Sequence, residues 1–183
     1  MPGFEIARTL SQTETCDVYL AYRTDLFDRG ARRLRVFKAI AADPTLRARQ
    51  FRNFALTRDL PPHPFVVRSE GAEDGGRYIE ATPWSDAGAL RERIRGGRAL
   101  PEADALRFGR QILEALAHLH AHGVIHRDLS PDSVVTTGET AQLTNFDLAF
   151  DPQADQTVLD DGERQKPSAY RAPEFAVAGA DEK

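Results

Sequence analysis

The chain has one cysteine, Cys16, one tryptophan, Trp84, and one methionine among 183 residues. A lone thiol closes no internal disulfide, which fits a reducing compartment and sets a cytoplasmic expectation. No run of about 18 apolar residues occurs, so no membrane-spanning helix is expected. The opening Met1-Pro2-Gly3-Phe4-Glu5-Ile6 lacks the basic-then-apolar order of a secretory signal. Concentrated positive charge is also missing: 24 basic residues against 28 acidic give a net charge of −4. A nucleic-acid partner, which requires a basic stripe, is therefore not expected. Lysine is scarce, confined to Lys38, Lys166 and Lys183, so a lysine inside an apolar run stands out. What remains, 41% hydrophobic residues, is the composition of an ordinary globular protein.

Hydrophobic patterning divides the chain near residue 82. Phe4 to Leu10, Val18 to Arg23 and Leu34 to Ile40 read as strands rich in β-branched and aromatic residues. Pro44 to Leu60 reads as a helix that His63-Pro64 ends, and Val66 to Ser69 with Arg77 to Ala81 as a hairpin about Gly75-Gly76. A linker-like Pro83-Trp84-Ser85-Asp86-Ala87-Gly88 follows, then a short helix near Ala89 to Ile94. Leu106, Ile112, Leu113, Leu116 and Leu119 recur at helical spacing within Glu102 to His122, and Gly123 stands where a terminating glycine belongs. The expectation is an α+β fold of two lobes: a sheet with one helix over 1–82, and a mainly helical part over 83–183.

The chemistry-bearing residues lie beyond the long helix. His126-Arg127-Asp128-Leu129-Ser130-Pro131-Asp132-Ser133 is followed, seventeen residues after Asp128, by Asn145-Phe146-Asp147-Leu148-Ala149, and then by Ala172-Pro173-Glu174. With Val36-Phe37-Lys38 upstream, these four segments resemble, in order and distance, the H-R-D catalytic loop, D-F-G loop, A-P-E segment and V-A-I-K strand of eukaryotic-type Ser/Thr protein kinases. The resemblance spans nearly the whole chain. It implies a kinase-like two-lobe fold with a five-stranded sheet, a cleft for ATP with Mg²⁺ or Mn²⁺, Asp128 as the carboxylate that accepts the substrate hydroxyl proton, and Lys38 on the nucleotide phosphates. It also implies an adenine site walled by Leu10, Val18, Val36 and Val135. Ala81 would be a small gatekeeper, with hinge hydrogen bonds from Thr82 and Trp84 in a register open by one residue. His126 and Phe146 match the positions that stack between the lobes.

Departures from the family pattern concentrate on phosphate and metal. Ser11, Thr13 and Cys16 stand at the three glycine positions of the phosphate loop, where glycine lets backbone N–H groups approach. The helix glutamate that would orient the lysine falls at Asn53 or Phe54, and 45–58 holds no acidic residue. The metal-binding Asp is Asn145, the metal-binding Asn is Ser133 and the loop lysine is Ser130. Mg²⁺ prefers carboxylate and phosphate oxygens, so weak or absent metal binding is expected. Asp132 and Asp147 are either substitute ligands or solvated loop acids. Arg127 either pairs with Asp151, Asp155, Asp160, Asp161 or Glu163 or leaves them solvated. Lys166-Pro167 replaces the family's Gly-Thr. The chain ends soon after Ala172-Pro173-Glu174, so an apolar patch about Leu116 and Leu119 is expected to meet a protein partner or the remainder of a longer chain. The functional expectation is a pseudokinase or severely impaired kinase acting through nucleotide or protein binding. The alternatives are an active kinase with displaced metal ligands and an interaction module that binds no nucleotide.

Overall fold

In the computed structural model the residues described are 3–24, 30–39, 42, 44–150 and 170. The segment carrying Asp151 to Glu163, Lys166-Pro167 and Ala172-Pro173-Glu174 lies outside them. Five antiparallel strands form one sheet: β1 (Phe4–Gln12), β2 (Cys16–Arg23), β3 (Ala31–Phe37), β4 (Glu70–Asp74) and β5 (Arg77–Pro83), in the order β1-β2-β3-β5-β4. Helix α1 (Pro44–Asp59) follows β3. Beyond the sheet come the short α2 (Leu90–Arg93), the long α3 (Glu102–Ala121) and a two-stranded ribbon of β6 (Val134–Thr137) and β7 (Thr140–Leu143).

Side-chain parity on β3 decides which residues face the rest of the molecule. Antiparallel partners share a face, and successive residues alternate. Arg33 pairs with Thr82, Arg35 with Glu80 and Phe37 with Tyr78, on the face that carries α1. Leu34 pairs with Ala81 and Val36 with Ile79, and these four pack with Ala21, flanked by Phe4 and Tyr19, on the other face. On the α1 side the contact is aromatic and polar: Phe51 of α1 lies 4.0 Å from Tyr78, which stacks 5.5 Å from Phe37. Gly71 lets this layer close, since a Cβ there would come within 2.7 Å of the Phe54 ring and 2.9 Å of the Tyr78 hydroxyl.

The main core belongs to the second part of the chain. Phe108, Ala115 and Leu119 of α3 are at most 1% exposed and pack with Val134, Ala141, Leu143 and Phe146. Leu56 of α1 and Leu60, just past its end, reach the same cluster, so one core spans the junction. Val66 and Val67, the start of the expected hairpin strand Val66 to Ser69, belong to that junction, and the hairpin strand is β4, Glu70–Asp74, paired with β5. Val67 donates its amide to the Leu143 carbonyl at 2.8 Å, and Leu143 returns the bond to Phe65 at 2.8 Å. The apolar surface also falls elsewhere than expected. Leu119 is fully buried and Leu116 packs against the core, while the exposed leucines of α3 are Leu106 and Leu113, 68% and 67% exposed. Among the described residues no helix is long and apolar enough to cross a membrane.

Candidate functional site

The cleft side of the sheet is organised by a ring of polar contacts centred on Arg35. Its guanidinium donates to both carboxylate oxygens of Asp147, at 3.1 and 2.8 Å, and to Glu80 Oε2 at 3.0 Å. The other Glu80 oxygen accepts from the Asn53 side-chain amide, and Asn53 Oδ1 accepts from the Phe146 backbone N–H at 3.1 Å. Phe146 and Asp147 are neighbours, so the ring closes through the loop itself. It ties β3, β5, α1 and the Asn145-Phe146-Asp147 loop together. Glu80 is 1% and Asn53 3% exposed. Burial pushes the Glu80 carboxyl above its ordinary range, while the Arg35 charge acts in the opposite direction. For Arg35, burial disfavours the charge, but Asp147 and Glu80 outweigh it and hold the guanidinium more firmly charged than usual.

Lys38 does not enter this ring, which corrects the expectation from Val36-Phe37-Lys38. Strand β3 spans Ala31–Phe37, three residues earlier than the Leu34 to Ile40 read from the sequence, and Lys38 stands just past its end. Its Nζ donates to the Thr13 carbonyl at 2.6 Å and lies 3.2 Å from Asp17, with 45% of the side chain exposed. Asp17 pairs with Val36, so Lys38 has joined the opposite face of the sheet. The cationic β3 side chain facing the loop is Arg35. Asn53, one of the two positions considered for the helix glutamate, is the α1 residue that meets it through Glu80.

The proposed adenine residues are divided in the same way. Val18 pairs with Arg35 and shares its face, whereas Val36 and Ala81, expected as cleft wall and gatekeeper, lie within the cluster on the opposite face. Thr82, 7% exposed, pairs with Arg33 on the cleft face. The Trp84 amide is used in the sheet, donating to the Ala31 carbonyl at 3.0 Å. Leu10 lies at an irregularity of the β1–β2 ladder and is 36% exposed. Val135 is half-buried on β6, where its backbone bridges to Ala89. The turn that replaces the glycine-rich loop is closed by Thr13, whose hydroxyl accepts from the Cys16 amide at 2.9 Å and donates to the Cys16 carbonyl at 2.7 Å.

The loop after α3 keeps its framework. His126 is 2% exposed and its ring lies 5.0 Å from Phe146. The Asp128 amide donates to His126 Nδ1 at 3.3 Å, which fixes the proton on Nε2, and Nε2 donates to the Thr144 carbonyl at 3.0 Å. Burial lowers the affinity of this imidazole for a second proton. Asp128 is held half-buried by this contact. Both Arg127 and Asn145 have left-handed backbone, φ 63° and 66°, which asparagine tolerates better than most residues. Arg127 lies 4.6 Å over the Phe150 ring.

The remaining oxygen donors are turned inward or paired. Ser133 is fully buried, and its hydroxyl accepts from the Ser130 amide at 2.9 Å and donates to the Ser130 carbonyl at 3.0 Å. Asp132 is clasped by Arg91, with Nη2 at 2.8 Å and Nε at 3.2 Å, and Arg91 also donates to the Tyr170 hydroxyl at 3.3 Å. Asp147 is paired with Arg35. Thus Asp132 and Asp147, considered as substitute metal ligands or free acids, are both partners of arginines. Among the described residues, no three or more His, Cys, Asp or Glu side chains gather to hold a metal.

A five-stranded sheet with one helix, set over a His-Arg-Asp loop stacked on an Asn-Phe-Asp loop, is the architecture of a protein kinase domain. Residues 8–182 match the sequence model of that family, "Protein kinase domain", and the chain belongs to it. Similar proteins include the rabbit (Oryctolagus cuniculus) calcium/calmodulin-dependent protein kinase type II subunit delta, 35% identical over 103 residues, covering 53% of this chain and 19% of the relative. The Arabidopsis thaliana CBL-interacting serine/threonine-protein kinase 24 is 27% identical over 161 residues, covering 85% of this chain and 35% of the relative. The chain thus spans about a third or less of the length of these relatives.

Proposed function

We propose that this kinase-fold domain is catalytically silent or severely impaired and acts by binding. The observation that carries the reading is the Arg35–Asp147 pair with Glu80 and Asn53 behind it. The side chains placed to meet phosphate and metal satisfy one another instead. An ATP phosphate entering beside Arg35 would have to displace Asp147, and Mg²⁺ would find an asparagine amide and an inward-turned serine hydroxyl at its two expected ligand positions. In enzymes that stabilise developing charge, removal of one such group costs about 2.7–4 kcal/mol of transition-state stabilisation. These losses are not additive, but several occur together here.

Asp128 keeps its place in the loop, and this favours a second reading, a kinase of low activity with displaced ligands. Transfer from γ-labelled ATP, with Mg²⁺ or Mn²⁺, separates the two when the wild type is compared with Asp128→Asn. No transfer above background in either folded protein is expected. Transfer that disappears in the variant would establish the second reading and overturn the first.

A further inference from the structure

Three imidazoles meet where the α1–β4 connection reaches the end of α3, the first two stacked and the third tilted by 52°. His63 lies 4.6 Å from His118 with an interplanar angle of 21°, and His118 lies 4.6 Å from His122. His118 and His122 are one turn apart on α3 and its cap, while His63 comes from the other lobe's connection. Each ring is also held by a backbone contact. The Phe65 amide donates to His63 Nδ1 at 3.3 Å, His118 Nε2 donates to the Pro61 carbonyl at 3.0 Å, and His122 Nδ1 donates to the His118 carbonyl at 2.8 Å. The stretch so held continues directly into 65–67, which pairs with β7, so the stack fastens one side of the junction between the lobes.

We infer that this stack is an acid-sensitive joint, which in its neutral form holds segment 61–66 against α3 and on protonation of His63 releases it. The acceptor role of His63 Nδ1 requires that nitrogen to be bare. A proton there would set a donor against the Phe65 N–H and place a positive charge flat on His118. Burial and His118 already lower the proton affinity of His63, while Glu114 acts against them. Glu114 is itself engaged by Arg110 at 2.7 Å. Arg58 and Asp59, at the end of α1 and shortly before His63 in sequence, are paired with each other at 2.7 Å. Residues 60–67 and β7 carry no ionisable side chain besides His63. The inference is independent of whether the cleft binds nucleotide.

The test is amide hydrogen exchange on the whole chain, expressed as protection factors, between about pH 7.5 and 5.5, where histidine changes charge. Protection at Phe65 and Val66 is expected to fall several-fold toward the acid end of this range in the wild type. It is expected to stay constant in His63→Asn, whose side-chain oxygen accepts the same bond without titrating. In His118→Gln, which retains a donor toward Pro61 without an imidazole against His63, the fall is expected to shrink. Wild-type protection that does not change with pH, or an equal fall in both variants, would overturn the inference. Protonation of His126 would be read at the Asp128 amide instead, so the two histidines are separable in one experiment.

Discussion

Arg35 and Asp147 face each other through two parallel hydrogen bonds of 3.1 and 2.8 Å, though 112 residues separate them in sequence. This bidentate pair joins the sheet to the loop after β7, and its arginine also neutralises a carboxylate that is 1% exposed. Removing one member of such a pair is more damaging than the pair is stabilising, because the other charge stays buried.

Arg35→Met should therefore destabilise the fold by about 3–5 kcal/mol, the range for an orphaned buried charge. The double variant Arg35→Met/Glu80→Gln should recover part of that loss. Urea unfolding monitored by circular dichroism measures both, and a single variant as stable as the wild type would show that the ring carries no weight.

Lys38→Ala should behave differently. Its side chain is 45% exposed and its partners are a turn carbonyl and Asp17, 13% exposed, so a loss of about 1–3 kcal/mol, below that of Arg35→Met, is expected. The same urea titration reports it. A loss comparable to that of Arg35→Met would place the important cation at Lys38 after all.

Ser133→Ala removes a buried hydroxyl that both donates and accepts within its own loop, and should cost about 1–3 kcal/mol. Ser133→Asn, the change toward the family residue, should cost at least as much, since the site is fully closed. Neither variant is expected to make the melting temperature respond to Mg²⁺, which thermal unfolding with and without the ion checks.

Stability should fall on the acid side. His126 titrates at 6.5 when unfolded and lower when folded, so its contribution is complete above about pH 6.5 and is lost as pH falls through that value toward the folded pKa. The unfolded state binds the extra proton in that window. His126→Gln should flatten the slope of unfolding free energy against pH there, and an unchanged slope would assign it to other groups.

Gly71→Ala should be destabilising by about 1–3 kcal/mol, the usual range for overpacking. The new methyl would meet the Phe54 ring and the Tyr78 hydroxyl closer than real contacts allow. Thermal unfolding compared with Gly75→Ala, where open space surrounds the site but φ is 56°, separates crowding from backbone strain.

The order of the His126-Arg127-Asp128 and Asn145-Phe146-Asp147 loops, the long helix and the sheet were legible because each rests on local pattern. The register of β3 was not read correctly, although its signal was present. Arg33 and Arg35 alternate with Leu34 and Val36, so a period of two already assigns the arginines to one face and gives Lys38 the parity of the leucine and valine. The rarity of lysine says nothing about direction. The ring itself was out of reach, because Glu80 and Asn53 become partners only when β5 and α1 pack on the same face. Nothing local in sequence marks a glutamate inside Tyr78-Ile79-Glu80-Ala81 as the counterion of an arginine 45 residues away.

The turn at Ser133 and the ring at Arg35 are closed in the same manner. The Ser133 hydroxyl completes two hydrogen bonds within its own loop, and the Arg35 guanidinium completes bonds to Asp147 and Glu80. A single substitution at either place breaks a satisfied contact before another can form. Partners within each closed set are therefore exchanged together more readily than one at a time.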